Sequence, residues 1–205
     1  MSKILFDWLA RADPPSSGDA IFVLAGHKSR KIYAIQLLER GTAPRILFSV
    51  GRFEIRRFPE LGLPQTIDLL QMAQSIPPRL RHFFVLFENG KCTVQRIPVR
   101  VLGTLGEIDA LADWLLAHPE ISSLLVVSSG AHLRRLRICC RRLLRRNVKC
   151  SFVAVPVENG NNEPNRMAIL LECFKIACYF VILPFWEVAR PWRWGTRLSI
   201  ERKRP

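Results

Sequence analysis

Residues 19–51 have the pattern of a strand, a helix and a second strand, and this pattern constrains the fold more than any other feature of the chain. Asp19–Gly26 is an apolar run that ends in glycine, which is typical of a buried parallel strand. A helical pattern follows from Lys28 to Arg40, and Arg45–Ser49 is the second strand. The apolar face of this helix is predicted to comprise Ile32, Ile35 and Leu38. Strand, helix and strand within about 30 residues make a βαβ unit, which places both strands parallel in one sheet.

The rest of the chain continues the alternation of strands and helices. In chain order, the pattern predicts a loop at Arg52–Pro64, a helix at Thr66–Ser75, strands at His82–Phe87 and Cys92–Val101, a helix at Leu105–Ala117, a strand at Ser123–Ser128, a helix at Ala131–Arg146, a strand at Val148–Val155, a loop at Glu158–Pro164 and a last helix at Asn165–Phe185. The Asn-Gly pair within Glu88–Lys91 is a strong hairpin signal, so an antiparallel hairpin extension is predicted near residues 82–101. The predicted fold is α/β: a Rossmann-like three-layer sandwich with a mainly parallel sheet and helices on both faces.

The chain divides into three predicted segments. Residues 1–18 hold a short N-terminal helix and a linker, residues 19–188 the α/β domain, and residues 189–205 a basic, loosely held C-terminal tail. We expect no signal peptide, because the first apolar stretch is short and is broken by Asp7.

The longest apolar segment, Ala168–Trp186, is predicted to form a buried C-terminal helix. We expect no full transmembrane helix, because the charge-free part of this segment, Ile176–Trp186, is too short to span a bilayer and contains Pro184. Docking on a membrane surface or on a partner is the alternative to burial.

The charge of the chain favours anionic partners. Lys and Arg number 31 against 17 Asp and Glu, for a formal net charge of +14. This excess suits phosphorylated small molecules, an anionic membrane face or nucleic acid. Nucleic acid is the weakest of the three, because no recognised nucleic-acid-binding motif accompanies the charge. The cysteines form no CxxC pair and no His cluster stands beside them, so no metal site is predicted and reduced cytoplasmic thiols are expected.

Four segments together resemble the YdcF/SanA/ElyC family of bacterial proteins. They are Asp19–Gly26, Gly41–Gly51, Gly103–Glu107 and Val126–Arg135, and the last is similar to the family's strand followed by His-x-x-Arg. The resemblance spans Asp19 to Glu172. It implies a Rossmann-like fold and, for many members, a link to envelope biogenesis, but no settled reaction.

The chain departs from the family's usual Asn-Thr-x-Glu-Asn motif at three positions. Gly103 stands where the first Asn is usual, and Gly106 and Glu107 stand where Glu and the last Asn are usual. The acidic stretch that usually precedes the family's second helix has no clear counterpart around Glu60–Asp68.

The predicted functional site lies where the parallel strands end and the helices begin. In open α/β sheets, ligands bind outside the carboxyl ends of the strands, and helix N-termini there favour anions. The predicted ligand-binding residues are Gly26, Lys28, Arg30, Ser49, Gly51, Ser129 and Arg135. The predicted catalytic residues are His132, Glu107 and Thr104.

Each reactive side chain has an expected role and an alternative. The resemblance favours a site role for His132, which would contact or protonate the ligand while Arg135 pairs with its negative charge. Without the resemblance, His132 would be a helix-start residue of no special role. Glu107 is either a general base or a helix cap.

The predicted helix Ala131–Arg146 is strongly one-sided. Leu133, Leu136, Cys140 and Leu143 form an apolar stripe that should face the core. Contact with an anionic surface is predicted for Arg134, Arg141, Arg142, Arg145 and Arg146. A solvated helix face is the alternative.

The sequence therefore predicts a domain that binds a small phosphorylated or nucleotide-like ligand. If it is an enzyme, hydrolysis or group transfer is expected, and no cofactor is indicated. The alternative is a non-catalytic protein that contacts an anionic membrane through the Arg-rich helix and the basic tail. We expect it in the cytoplasm, free or peripheral at the inner membrane, and the sequence does not determine its oligomeric state.

Overall fold

The computed structural model describes residues 2–14, 16–63, 69–97, 103–156 and 166–201, the last thirteen of these as backbone. Within these ranges, six strands form one sheet. They are β1 (Ala20–Val23), β2 (Arg45–Gly51), β3 (His82–Glu88), β4 (Lys91–Arg96), β5 (Ser123–Ser128) and β6 (Lys149–Ala154). The described α-helices are α1 (Ser2–Leu9), α2 (Lys28–Glu39), α3 (Leu69–Gln74), α4 (Thr104–Ala117), α5 (Leu133–Leu143) and α6 (Arg166–Glu201). Short 3-10 helices occupy Ile55–Leu61, Pro78–Leu80 and Gly130–His132.

The strand order is β4-β3-β2-β1-β5-β6. β1 lies in the centre, parallel to both β2 and β5, and β6 is parallel to β5. β3 runs antiparallel to β2, and β4 runs antiparallel to β3. The prediction of a mainly parallel α/β sheet with an antiparallel hairpin is confirmed.

Helices cover both faces of the sheet, as a Rossmann-like three-layer sandwich requires. Successive residues of a strand point to opposite faces, and β1 shows this directly. Ile21 and Val23 pack with α2, α3 and the 3-10 helix at Ile55–Leu61, whereas Phe22 packs with α4 and α5. The four residues of β1 are fully buried, so the central strand joins the two apolar cores.

Two local predictions are wrong. The predicted loop Arg52–Pro64 contains the 3-10 helix Ile55–Leu61, because Ile55 and Phe58 turn into the core below α2. The predicted apolar face of α2 is also wrong at Ile32, which is 41% exposed, whereas Ile35 and Leu38 pack partly buried against the core. The buried positions of α2 are Arg30, Lys31, Ala34 and Leu37. Arg30 and Lys31 are buried because the groups to which they donate hydrogen bonds lie at the ends of the strands.

The C-terminal helix extends well past its predicted end at Phe185. It continues through Pro184 and Pro191 to Glu201, so the predicted basic tail is helical over residues 189–201. Its predicted burial holds for one face only, where Ile169, Ile176 and Leu183 are buried against the domain. Within the described ranges, Arg166–Trp186 is a helix long and apolar enough by composition to cross a membrane.

Some predicted elements lie outside the described residues. They are residues 66–68 of the predicted third helix, residues 98–101 of the predicted hairpin, the loop Glu158–Pro164 and residues 202–205 of the tail.

The hairpin turn between β3 and β4 depends on positive backbone torsions. Asn89 has φ 51° and Gly90 has φ 72°, as a type I′ turn requires. A Cβ placed on Gly90 would meet nothing within 4 Å, so a larger residue there changes only the backbone energy.

We expect Gly90→Val to lower the free energy of unfolding by about 1 to 3 kcal/mol, since a β-branched residue strongly disfavours positive φ. Urea denaturation measures this change. Lys91→Val is the control, because Lys91 is an exposed strand residue and valine suits a strand. Equal stabilities of the two variants would contradict the role of the turn.

Candidate functional site

The backbone amides at the carboxyl ends of β1 and β2 bind carboxylates of the chain itself. Ala25 N donates to Glu107 Oε2 at 2.9 Å. Gly26 N donates to Glu54 Oε1 at 2.8 Å, and Gly51 N donates to Glu54 Oε2 at 3.0 Å. Gly26 and Gly51 therefore lie together at the predicted edge, but the amides that were expected to hold an external anion already hold Glu54.

Glu54 also neutralises a buried lysine. The ammonium of Lys31 in α2 forms an ion pair and hydrogen bond with Glu54 Oε1, and the Lys31 side chain is almost fully buried. A buried charge is tolerated only when it is paired, so this contact holds α2 to the end of β2.

Glu107 lies beneath this edge and is buried. Burial raises the pKa of Glu107, and the nearby carboxylate of Glu54 adds to the rise. Hydrogen bonds from Ala25 and Ser49 and the charge of Lys31 act in the opposite direction. Because Glu107 is in the first turn of α4 and accepts from β1, it ties that helix to the central strand.

Ser49 connects Glu107 with a histidine that the sequence did not indicate. Ser49 Oγ lies 2.7 Å from His82 Nε2, and the Ser49 side chain is also hydrogen bonded to Glu107. One hydroxyl carries one proton, so a Ser49 that donates to Glu107 accepts from His82 Nε2. Burial, with the charge of Lys31, lowers the pKa of His82 to about 4, so the ring is neutral near pH 7.

Arg30 links the end of β1 to the end of β5. Its Nη1 donates to Ala25 O at 2.9 Å, and its Nε and Nη2 donate to Ser129 Oγ at 3.0 and 2.7 Å. The guanidinium also packs against Gly26, where an added Cβ would lie 2.9 Å from Arg30 Nη1. Arg30 and Ser129 thus contact each other at the predicted site.

A cleft of about 510 Å³ opens at the ends of β1 and β2. It is lined by Ala25, Gly26, His27, Lys28, Lys31, Gly51, Phe53, Glu54, Arg57, Phe58 and Leu61. Gly26, Lys28 and Gly51 are the predicted site residues among them. Lys28 forms an ion pair with Glu60 at 2.8 Å on the outer side. Phe53 is 81% exposed and supplies an apolar wall.

A second depression adjoins this cleft and is strongly basic. It has a volume of about 590 Å³ and is lined by Arg52, Phe53, Arg56, Arg57, Pro78 and Arg81. Phe53 and Arg57 belong to both depressions. Glu54, Phe53 and Arg57 are not among the residues predicted from the sequence, although an acid close after the second strand of a βαβ unit is a known signal for ligand binding.

His132 and Arg135 lie in a separate ion cluster between α5 and α6. His132 Nδ1 is 3.2 Å from Arg135 Nη2 and 3.3 Å from Glu172 Oε2, so the two basic residues lie together beside Glu172. Arg135 Nη1 is 3.1 Å from Glu172 Oε2, and Lys175 Nζ is 2.8 Å from Glu172 Oε1. A charged pair in the otherwise apolar last helix was the sequence signal for this cluster.

The cluster has a strongly stabilised carboxylate at its centre. Burial acts to raise the pKa of Glu172, but hydrogen bonds from His132 and Lys175 and the charge of Arg135 outweigh it and hold the pKa at about 2. Glu172 therefore stays ionised and binds α6 to the domain.

Thr104 also contacts α6, where its side chain is hydrogen bonded to Tyr179. His132, Glu107 and Thr104 are thus not among the residues that line the cleft. The ion cluster still lies at the same edge of the sheet, because Ser129, three residues before His132, contacts Arg30.

Some side chains of the Arg-rich helix α5 contact other parts of the protein. Its predicted apolar stripe is buried, and Arg135, which is predicted to bind a ligand, is buried as well. The guanidinium of Arg134 lies 4.4 Å from the centre of the Trp8 ring. Arg141, Arg142 and Arg146 are exposed and Arg145 is half-buried.

Comparison with protein-family models, with curated proteins and with solved structures finds no match to this chain. The resemblance to the YdcF/SanA/ElyC family stays a prediction. Among the described side chains, no group of three or more His, Cys, Asp or Glu is placed to hold a metal ion.

We expect Gly26→Ala to lower the free energy of unfolding by about 2 to 4 kcal/mol, because it adds a backbone cost at φ 136° to a clash with the fixed Arg30 guanidinium. Gly41→Ala is the matched control: Gly41 also has positive φ, 72°, but a Cβ there meets nothing within 4 Å. Chemical denaturation should show the larger loss at Gly26. Equal losses would mean that Arg30 moves away without cost.

Glu172→Gln should destabilise the protein at neutral pH and much less in acid. The folded-state pKa of about 2 lies below the ordinary glutamate value of 4.5, so the stabilisation is present above pH 4.5 and is lost as the pH falls towards 2. The difference from the wild type should reach about 2 to 3 kcal/mol at pH 6. Urea denaturation at pH 6 and pH 3 measures it.

The matched control is Glu120→Gln. Glu120 is a half-exposed carboxylate 3.5 Å from Arg45. Its replacement should change stability little at either pH, because solvent screens an exposed pair. A constant difference between Glu172→Gln and the wild type across this range would contradict the depressed pKa.

Proposed function

We propose that this protein binds a small nucleotide-like, phosphorylated ligand at the carboxyl ends of β1 and β2. The site is the cleft beside Glu54 together with the basic depression that adjoins it. β1 is the strand from which the sheet extends in both directions, and ligands of open α/β sheets bind at such switch points.

Glu54 suits the sugar part of such a ligand. In dinucleotide-binding folds an acidic residue near the end of the second strand accepts hydrogen bonds from ribose hydroxyls. Each carboxylate oxygen can accept two hydrogen bonds. Among the described residues, Glu54 Oε2 accepts one, from Gly51 N, so it can accept a second from a ligand hydroxyl.

The basic depression suits the phosphate part. Arginine binds phosphate oxygens in a bidentate manner, and Arg52, Arg56, Arg57 and Arg81 converge there. Phe53 stands between the two depressions and offers a flat apolar surface to a base. The observation that carries the proposal is that Phe53 and Arg57 line both depressions, which places a hydroxyl acceptor, an aromatic ring and a group of arginines side by side.

The hydrogen bonds of Glu54 argue against a phosphate at the Gly26 and Gly51 amides. Gly26 and Gly51 are predicted to bind the ligand, but their backbone amides donate to Glu54. A phosphate at that place would have to displace Glu54 from two amides and from Lys31, so the arginines are the better partners. Hydrolysis or group transfer by His132, Glu107 and Thr104 stays a prediction from the sequence, and the link to the cell envelope stays a prediction that rests on the resemblance.

A thermal-shift screen tests the proposal, since a ligand that binds only the folded state raises the Tm. Adenosine, AMP, ATP and glucose 6-phosphate are the probes, with inorganic phosphate as a reference for charge alone. AMP and ATP should raise the Tm more than adenosine or phosphate does. An unchanged Tm with every probe would contradict the proposal.

Arg57→Gln should weaken AMP binding by about tenfold or more, as the loss of one charged hydrogen-bonding partner does. It should leave adenosine binding nearly unchanged. Arg40→Gln is the matched control, because Arg40 is an exposed arginine after the far end of α2. Isothermal titration calorimetry compares the variants, and equal AMP affinities would contradict the assigned role of Arg57.

A further inference from the structure

The outward face of α6 is apolar from Met167 to Val188. From Met167 to Val188, every exposed side chain that the structure describes is apolar. The largest are Met167, Leu170, Leu171, Phe174, Phe180, Val181, Ile182, Phe185 and Val188. At a rise of about 1.5 Å per residue this face is about 33 Å long. Monomeric soluble proteins rarely expose a continuous apolar surface of this length.

Helix α1 extends the same surface. It packs on α6 through Leu9 and, more loosely, Leu5 and Phe6, while Ile4 and Trp8 remain exposed. Trp8 and Phe180 line one shared depression of about 250 Å³. We call the exposed apolar side chains of α1 and α6 the apolar face.

Arginines of α5 border the apolar face. The depression that holds Trp8 and Phe180 is also lined by Arg134, Arg137, Arg141 and Arg142. Arg134 stacks on Trp8, and Arg137 is paired with Asp13 at 3.0 Å. Arg141 and Arg142 are exposed beside the apolar residues. An apolar surface with a basic border and an aromatic residue at its edge has the chemistry of a membrane interface.

We propose that the apolar face is a membrane-docking surface that binds an anionic lipid bilayer. Apolar side chains of α1 and α6 enter the boundary of headgroups and acyl chains, and Arg141 and Arg142 bind lipid phosphates. The net charge of +14 makes an anionic surface the matching partner. A second copy of the chain fits less well, because a two-fold contact sets the same basic border against itself.

The helix lies along the membrane surface and does not cross it. Its inner face carries Glu172, which is buried against Arg135 and His132, and Ile169 and Ile176 pack on the domain. A crossing helix would carry this ion cluster into hydrocarbon or break it, and both are costly. The contacts that hold α6 to the domain therefore orient its apolar face outward.

Vesicle sedimentation of the full chain tests the proposal. The wild type should sediment with vesicles of phosphatidylcholine mixed with phosphatidylglycerol, and far less with pure phosphatidylcholine or at high salt. The double variant Phe174→Glu/Val181→Glu should lower binding to the mixed vesicles by at least about tenfold. These side chains are 66% and 63% exposed, so the fold should tolerate the change, and circular dichroism checks this.

The matched control is Ile32→Glu/Leu116→Glu, which makes the same chemical change at exposed apolar positions on α2 and α4. It should bind as the wild type does. As a second variant, Arg141→Glu should weaken binding to the mixed vesicles without affecting the apolar face itself.

Several outcomes would overturn the proposal. They are failure of the wild type to sediment with the mixed vesicles, equal binding to the two kinds of vesicle, and unchanged binding by the Phe174→Glu/Val181→Glu variant. A wild-type dimer that this variant converts to monomer, without vesicle binding, would assign the face to a second copy. Bound protein that resists alkaline carbonate extraction would contradict the surface orientation. The test does not depend on the ligand site, so either proposal can fail alone.

Discussion

The carboxyl end of β1 organises the molecule, because three of its backbone polar groups are bound by three different neighbouring elements. Ala25 N–H donates to Glu107 of α4, and Gly26 N–H donates to Glu54 after β2. Ala25 C=O accepts from Arg30 of α2. These bonds join both helical layers to the central strand at the place where the fold would otherwise leave unsatisfied groups. Such groups are costly when they are buried, so the arrangement is strongly determined.

The same bonds give the cleft a balanced electrostatic character. A plain amide nest would favour any small anion, but here Glu54 neutralises the local positive field and pairs with Lys31. In the proposed site, the arginines near Phe53 would bind the charged group of the ligand, and Glu54 would accept a hydrogen bond from a ligand hydroxyl. A ligand that satisfies both parts needs a sugar and an anion held a short distance apart, which narrows the class of molecules that the site suits.

The contacts between the domain and its last helix decide which face of that helix is exposed. Glu172 keeps its charge because His132, Arg135 and Lys175 surround it, and this cluster sits at the edge of the sheet beside Ser129 and Arg30. These contacts hold the inner face of α6 against the domain, so its apolar outer face stays exposed. A buried ion cluster near the ligand site thus also decides which side of the molecule is apolar.

The sequence by itself determined the α/β class, the parallel βαβ unit and the Asn89-Gly90 hairpin, because periodicity and turn chemistry act over a few residues. It also predicted that Gly26, Gly51 and Lys28 lie at one edge of the sheet, since the carboxyl ends of parallel strands lie at the same edge. Only the tertiary structure decided that Glu54 accepts hydrogen bonds from the Gly26 and Gly51 amides and that Glu172 binds His132 and Arg135. These contacts join residues distant in the chain, and their geometry depends on how layers pack. The exposure of the outer face of α6 was also decided only by the tertiary structure. The sequence of an apolar helix does not show whether the domain has room to bury it.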